Sequence, residues 1–195
     1  MANHLWYHNA MLDLNARASL LKSIDNSFNE SFIQAVDYIE DAIQNNKFLF
    51  FCGNGGSAAE AQHMSAEYLA TLDHKRFRKG AKALALTVDS SLLTAWTNDF
   101  GYKEIFSRQV ETLGSHGDVL FAYSTSGNSE NIIVAAEKAN EMGMKVIGFS
   151  GNDGGRLSEL SDISFVVPSK NTALIQEVHT IIGHDLCLHA EKVLF

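Results

Sequence analysis

The stretch KFLFFCGNGGSAAEAQHMSAE, residues 47–67, contains the signals for a strand, a turn and a helix in direct succession. Its first six residues are β-formers that predict a short buried strand. Glycines at positions 53, 55 and 56 then predict a tight turn. The alanine-rich segment that follows predicts a helix that carries His63 and Glu67.

The same order of signals recurs along the rest of the chain. Short apolar runs at 82–87, 118–124, 144–150 and 162–168 alternate with segments of helical periodicity. Such alternation indicates parallel strands joined by crossover helices. We therefore predict an α/β three-layer sandwich with a five-stranded parallel sheet in flavodoxin-like order. Its helices are predicted near 57–71, 90–96, 103–113, 129–142 and 154–160, with a last helix from about 172 nearly to the end.

Residues 4–46 precede this pattern and have apolar side chains at helical spacing. They predict two helices with a break near Asp25–Asn29. In an open parallel sheet, ligands bind beyond the carboxyl ends of the strands. We therefore expect the site in the segments that follow the predicted strand ends, at Cys52, Thr87, Ser124, Ser150 and Pro168.

The composition restricts the class of protein. A length of 195 residues suits one compact domain, and a formal net charge of −8 argues against a nucleic-acid-binding surface. We find neither an apolar run of the roughly 18 residues of a membrane span nor the basic, apolar start of a signal peptide. Cys52 and Cys187 form no CxxC pair and no disulfide framework, which predicts a reducing cytoplasm.

The loop Gly53–Ser57 has two interpretations. Glycine amides and the N-terminus of the following helix favour a phosphate. Alternatively, the loop is a plain turn in which Ser57 and Glu60 form a capping box. The loop matches neither the dinucleotide fingerprint nor the Walker A motif, so we predict no nucleotide cofactor.

A second loop, Ser124-Thr125-Ser126-Gly127-Asn128-Ser129, also enters a predicted helix. A serine N-cap accounts for one or two of its four hydroxyls, whereas phosphate binding accounts for all four. Neither loop contains Arg or Lys. We therefore predict that one phosphate is bound through neutral donors and helix ends.

Ionisable and amide side chains on two predicted helices suggest metal binding or proton transfer. His63 and Glu67 are four residues apart and share a helix face. On the last helix, Gln176 and His184 lie about 80° apart but about 12 Å apart along the axis. Either Gln176 precedes the regular helix, or the two residues act in different copies of an oligomer. Asn98-Asp99, before Phe-Gly, predicts a turn.

Six segments occur in a fixed order: CGNGGSAAEAQH-x3-E, ALTVDSSLLTAWTNDFGY, IFSRQVETLG, GDVLFAYSTSGNSENI, GFSGNDGG and IQEVH-x4-H. Together they resemble the phosphoheptose isomerases of the sugar isomerase (SIS) class, over nearly the whole chain after about residue 45. The resemblance implies a five-stranded parallel sheet with flanking helices. It also implies homotetramers with N-terminal helices at the subunit core and sites between subunits. Residues 1–46 are thus predicted to be a helical oligomerisation segment and 47–195 the SIS domain, within one compact domain overall.

The resemblance also implies an activity, the isomerisation of sedoheptulose 7-phosphate to D-glycero-D-manno-heptose 7-phosphate. This is the first step toward activated heptose for lipopolysaccharide or other surface glycans. By position in the family motifs, Glu67 and His184 are the acid–base pair. The implied zinc-associated set is His63, Glu67, Gln176 and His184. The implied substrate contacts are Asn54, Gly55, Gly56, Ser57, Glu67, Asn98, Asp99, Ser124, Thr125, Ser126, Ser129 and Gln176.

Enediol chemistry requires one group that removes a carbon-bound proton and another that moves protons between the oxygens, which suits Glu67 as base and His184 as acid. Zinc would polarise the carbonyl. The chain departs from the family at two usually basic positions, now Thr71 and Leu174. Lys75, Arg76 and Arg78 are candidates to compensate.

Two alternatives remain at this point. Non-catalytic SIS modules that associate with replication initiators typically lack the Glu and His that stand here at positions 67 and 184, which favours the enzyme. A sensor or isomerase of another phosphosugar is the other alternative, because positive charge is missing at positions 71 and 174.

Overall fold

A five-stranded parallel sheet forms the centre of the molecule. In this computed structural model the described residues are 13–24, 26–75 and 77–193. Neighbouring strands pair in the order β2-β1-β3-β4-β5, and every pair is parallel, which confirms the predicted flavodoxin-like sheet. The strands are β1 (Leu49–Gly53), β2 (Ala83–Ala85), β3 (Val119–Tyr123), β4 (Lys145–Gly151) and β5 (Ile163–Val167).

Eight α-helices accompany the strands in the described part of the chain. They are α1 (Leu14–Ser23), α2 (Asn29–Gln44), α3 (Gly56–Leu69), α4 (Ser90–Phe100), α5 (Ser107–Leu113), α6 (Glu130–Glu141), α7 (Gly155–Leu160) and α8 (Thr172–Val193).

The sequence predicted these helices closely, with two local differences. The helix predicted at 103–113 is divided into a 3₁₀ turn, Tyr102–Glu104, and α5. Helix α4 continues to Phe100, so Asn98 and Asp99 lie in its last turn, and the predicted turn there is wrong. Helix α4 ends at Gly101, because the positive φ of this glycine, 100°, is not a helical conformation. Residues 4–12 of the predicted first helix, Asp25 in the predicted break and Arg76 lie outside the described residues.

Side chains of β1 alternate between two hydrophobic clusters, one on each face of the sheet. Leu49 and Phe51 belong to the cluster formed with α2, α3 and α8. Phe50 and Cys52 belong to the cluster formed with α5, α6 and α7. Strands buried on both faces consist of nearly continuous apolar residues, as KFLFFC does. This alternation confirms the three layers.

Helices α3 and α8 run parallel on one face of the sheet, in a register that positions the site. Gly56 lies opposite Gln176, and the Thr180 hydroxyl donates to Glu60 Oε2 at 2.6 Å one turn later. Gly183 lies against Met64, where a Cβ atom would be 2.5 Å from the sulfur. The glycine therefore allows the two helices to approach closely beside His184.

The hydropathy of the helices bears on membrane insertion. Among the described residues, we find no helix that is both long enough and apolar enough to cross a bilayer.

Candidate active site

His63, Glu67 and His184 meet between α3 and α8. The Nε2 atoms of the two histidines are 2.9 Å apart, and His63 Nδ1 is 3.7 Å from Glu67 Oε1. His63 and Glu67 are side by side because a four-residue spacing returns to the same helix face. His184 joins them from α8 through the register of the two helices. We call these three residues the His–Glu–His group.

The donor atoms of this group suit a divalent metal. One ligand atom from each of His63, Glu67 and His184 lies within 4.8 Å of the other two. Two imidazoles and a carboxylate form a donor set of the kind found in catalytic zinc sites, which leave a further position open. The side chain of His63 is 44% exposed and that of Glu67 is 20% exposed, so the group is open to solvent on one side.

Gln176 lies against Gly56 at the start of α3, about 12 Å along the α8 axis from His184. It lies inside α8, which begins at Thr172, so the alternative that it precedes the regular helix is wrong. A Cβ atom on Gly56 would lie 2.6 Å from both atoms of the Gln176 amide. Gln176 and His63 nevertheless line one cavity of about 480 Å³, together with Gly56, Ala59, Glu60, Ala173, Glu177 and Thr180.

Glu60 is a buried carboxyl group in the wall of that cavity. Oε2 accepts the Thr180 hydrogen bond, whereas Oε1 has no hydrogen-bond partner among the described residues. Burial raises the pKa of Glu60. The N-cap of α3 is Gly55 and makes no side-chain capping bond, so the capping-box alternative for Ser57 and Glu60 is wrong.

Side-chain hydrogen bonds connect the glycine loop to two other segments. Asn54 and Asn131 exchange two hydrogen bonds, of 2.8 and 2.9 Å. The Tyr102 hydroxyl donates to Asn54 Oδ1 at 2.7 Å. Asn54 Oδ1 is therefore saturated, and one amide N–H of this residue remains for a ligand. Gly55 has a φ of +55°, a conformation that favours glycine.

The serine-rich loop gathers its hydroxyls at the N-terminus of α6. Ser124 Oγ donates to Ser129 Oγ at 3.0 Å and lies 3.4 Å from Ser126 Oγ. Ser129 is the N-cap residue of α6 and makes no side-chain capping bond, so its hydroxyl is not used for the cap. Thr125 is half-buried beside them. Hydroxyls that converge at a helix N-terminus suit an anion.

Asn98 and Asp99 lie at the exposed end of α4. The Asn98 amide donates to Asp99 Oδ1 at 2.8 Å. The same segment continues to Tyr102, which contacts Asn54 in the glycine loop. The pair thus belongs to a segment that is connected to the ligand loops.

Comparison with known proteins identifies the family. The SIS domain family model matches residues 14–151. A phosphoheptose isomerase of Helicobacter pylori is 46% identical over 171 residues, which are 88% of this chain and 88% of the relative. One of Clostridium acetobutylicum is 45% identical over 182 residues, 93% of this chain and 91% of the relative. The chain belongs to the phosphoheptose isomerases of the SIS domain family.

A solved structure gives the same result. The phosphoheptose isomerase of Neisseria gonorrhoeae matches with a TM-score of 0.84 at 37% identity, over 92% of this chain and 95% of that one. The predicted fold, the predicted family and the predicted enzyme class, an aldose–ketose isomerase, are confirmed.

Thr71 and Leu174 stand at the two positions where the resemblance led us to expect basic residues. Thr71 donates its hydroxyl to Glu191 Oε1 at 2.9 Å. Leu174 lines a small apolar cavity between α1 and α8. Of the candidates to compensate, Arg78 is buried and bound to Glu191, so it does not supply charge to a ligand in this chain. Lys75 is exposed.

Several residues that border the candidate site were missed from the sequence. Asn131 and Tyr102 gave no sequence signal, because their role depends on contacts with Asn54. Glu60 was considered only in the capping-box alternative, although its buried position toward α8 follows from its place on the face shared with Met64. A helical projection of α3 would have placed it there.

Proposed function

We propose that this enzyme interconverts sedoheptulose 7-phosphate and D-glycero-D-manno-heptose 7-phosphate, the first step toward activated heptose for surface glycans. The observation that carries the proposal is the meeting of the Glu67 carboxylate and the His184 imidazole beside His63, across two helices. A carboxylate and an imidazole that converge in an open cleft are the two groups that enediol chemistry requires. The relatives of Helicobacter pylori and Clostridium acetobutylicum are phosphoheptose isomerases, which supports the substrate class.

Glu67 is the proposed carbon base and His184 the proposed oxygen acid. Glu67 removes a proton from C1 of the ketose while His184 donates a proton to O2, which gives an enediol. His184 then takes the proton from O1, and Glu67 returns its proton to C2. The products are the C1 aldehyde and the regenerated side chains, so the proton count balances.

We propose zinc as the metal, which His63, Glu67 and His184 would hold. Glu67 and His184 would then act as base and acid through the carboxylate oxygen and the ring nitrogen that do not bind the metal. When bound, it would supply electrophilic polarisation of the substrate carbonyl. Gln176 lies two helical turns from His184, about 12 Å along the axis. We therefore assign Gln176 to the substrate, and to the metal only by way of a second copy of the chain.

The remaining substrate contacts are proposed from the two loops and the end of α4. Mutual hydrogen bonding among the serines supports the phosphate site, with Ser124, Thr125, Ser126 and Ser129 around the phosphate. The sugar is assigned to the glycine loop, the end of α4 and the cavity wall, with Asn54, Gly55, Gly56, Ser57, Asn98, Asp99 and Gln176 as contacts.

We propose a homotetramer in which α1 and α8 face neighbouring subunits and sites form between subunits. Exposed apolar side chains on these helices support it: Leu14 is 60% exposed and Ile181 is 42% exposed. We place the enzyme in the cytoplasm, because Cys52 and Cys187 are both buried free thiols.

A direct assay tests the function. Purified protein is supplied with zinc and incubated with sedoheptulose 7-phosphate, and the aldose is followed by NMR. We expect turnover in the wild type and a fall of about 10²–10⁴-fold in Glu67→Gln, which keeps the size but not the base. Absence of turnover in zinc-loaded wild type would refute the isomerase and leave a phosphosugar-binding module.

A further inference from the structure

The guanidinium of Arg78 is buried where α3 ends. The side chain is only 4% exposed. It donates from Nη2 to the main-chain carbonyl of Glu67 at 2.7 Å and from Nη1 to that of Tyr68 at 2.9 Å. These carbonyls belong to the last turn of α3, where carbonyl groups have no partner within the helix. Arg78 thus holds the backbone of the residue whose carboxylate belongs to the His–Glu–His group.

Glu191 holds the same guanidinium from α8. Its Oε1 accepts from Arg78 Nε at 2.7 Å, and its side chain is 7% exposed. The carboxylate also accepts from the Leu72 amide at 2.8 Å and the Asp73 amide at 2.9 Å. Burial alone would raise the pKa of Glu191, but the hydrogen bonds from Arg78, Asp73 and Leu72 lower it on balance.

The two ends of this ion pair are linked to the two proposed acid–base residues. Glu191 is seven residues after His184, two turns along the same face of α8. Arg78 is bonded directly to the main chain of Glu67 on α3. The ion pair therefore joins the two helices that carry Glu67 and His184.

We propose that Arg78 and Glu191 are positioning residues that hold the Glu67 carboxylate against His63 and His184. The expected effect on kcat rests on the proposed function. The expected effect on the position of the Glu67 carboxylate does not. An ordinary helix cap satisfies the carbonyls and no more. A guanidinium bound at Nε, Nη1 and Nη2 to two helices also fixes their relative position, because its planar fork allows one orientation.

Arg78→Lys and Arg78→Ala are the informative variants. Lysine keeps the charge but loses the fork, and alanine leaves a space into which free guanidinium can diffuse. Val146→Ala is the matched control, because it makes a cavity in the hydrophobic cluster on the opposite face of the sheet. All proteins are compared well below their melting temperatures, so that differences in folded fraction do not contribute.

Two readouts are measured, the kinetics with sedoheptulose 7-phosphate and the affinity for Co²⁺ followed by its absorption spectrum. We expect both Arg78 variants to lose about 10–100-fold in kcat with KM changed less than about threefold, since misplacement of a catalytic group by 1 Å costs this much. Co²⁺ affinity should fall about tenfold, as for other changes behind a metal ligand. Millimolar guanidinium should restore part of kcat in Arg78→Ala and nothing in Val146→Ala.

The possible results distinguish a failure of the positioning role of Arg78 from a failure of the proposed isomerase function. If folded Arg78 variants match Val146→Ala in both kcat and Co²⁺ affinity, the positioning role is wrong while the isomerase stands. If the wild type itself shows no turnover, the proposed function fails, and the Co²⁺ affinities alone decide the positioning role. Should Arg78→Ala fail to fold, the folded Arg78→Lys variant decides by the same two readouts.

Discussion

His63 Nε2 and His184 Nε2 lie 2.9 Å apart although the two residues are 121 positions apart in the chain. With both rings neutral, one nitrogen donates a proton and the other accepts it. A divalent cation binds neutral imidazole nitrogens and replaces the shared proton. A hydrogen bond between the rings accounts for this close contact, which also brings both nitrogens within reach of one metal ion.

The first prediction concerns that metal. His184→Ala removes one of three donors and should lower zinc affinity by more than the roughly 10–100-fold typical of changes outside the ligand shell. His74→Ala is the control, since His74 is exposed on the loop after α3. Zinc content after dialysis and competition with a chelator provide the measurement. Equal zinc affinity in the two variants would contradict the metal site.

A second prediction concerns the spacing of α3 and α8. Gly183→Ala places a Cβ atom 2.5 Å from the Met64 sulfur, so the helices must separate or Met64 must move. Overpacking of this kind costs about 1–3 kcal/mol in the free energy of unfolding. Because His184 is the next residue, kcat should fall as well.

The double variant Gly183→Ala/Met64→Ala is the control for this effect. Shortening Met64 removes the clash with the new Cβ atom but leaves a cavity between the helices. The double variant should therefore recover kcat more fully than the free energy of unfolding. Denaturant unfolding and steady-state kinetics measure the two quantities. Unchanged kcat in the single variant would show that the spacing of the helices does not control the site.

A third prediction concerns the amides behind the ligand loops. Asn131→Ala removes both hydrogen bonds between the buried Asn131 and the half-buried Asn54, which should cost about 1–3 kcal/mol in the free energy of unfolding. The glycine loop then loses its connection to α6, and KM for the sugar phosphate should rise more than kcat falls. Tyr102→Phe removes only the third bond to Asn54 and should have a smaller effect on both quantities. Identical KM values in wild type and Asn131→Ala would contradict this role.

A fourth prediction concerns pH and the buried His179. Burial lowers the pKa of His179 to about 4, against 6.5 for the free side chain, while a hydrogen bond with the Ser150 carbonyl opposes the shift. Between these two values the unfolded chain binds a proton that the folded chain does not. The contribution of His179 to the free energy of unfolding is therefore fully present above pH 6.5 and is lost as the pH falls toward 4.

The linkage gives the size of the effect and its test. A shift of this size corresponds to about 3 kcal/mol over that interval. His179→Gln should reduce the loss of unfolding free energy between pH 7 and pH 5 relative to wild type, as measured by urea denaturation at each pH. A parallel pH dependence in the two proteins would contradict this assignment.

Local sequence signals were enough for the strands and for most helices. Apolar runs such as KFLFFC form buried parallel strands because both faces of the sheet are covered, so that every side chain along the strand is buried. The proximity of His63 and Glu67 also followed from sequence, since it depends only on helix periodicity. The glycine and serine loops were located because parallel strands all end at one edge of the sheet.

Tertiary structure alone decided how distant segments meet. The register of α3 against α8 brings His184 to His63 and leaves Gln176 at Gly56, and it depends on close packing at Gly183. The pairing of Asn54 with Asn131 and of Arg78 with Glu191 likewise joins residues that no local pattern relates. Side-chain contacts between elements depend on how whole surfaces pack, whereas periodicity and turn chemistry are properties of neighbouring residues. The sequence therefore determined the sheet, the loops and one half of the candidate catalytic pair, and the packing of two helices determined the other half.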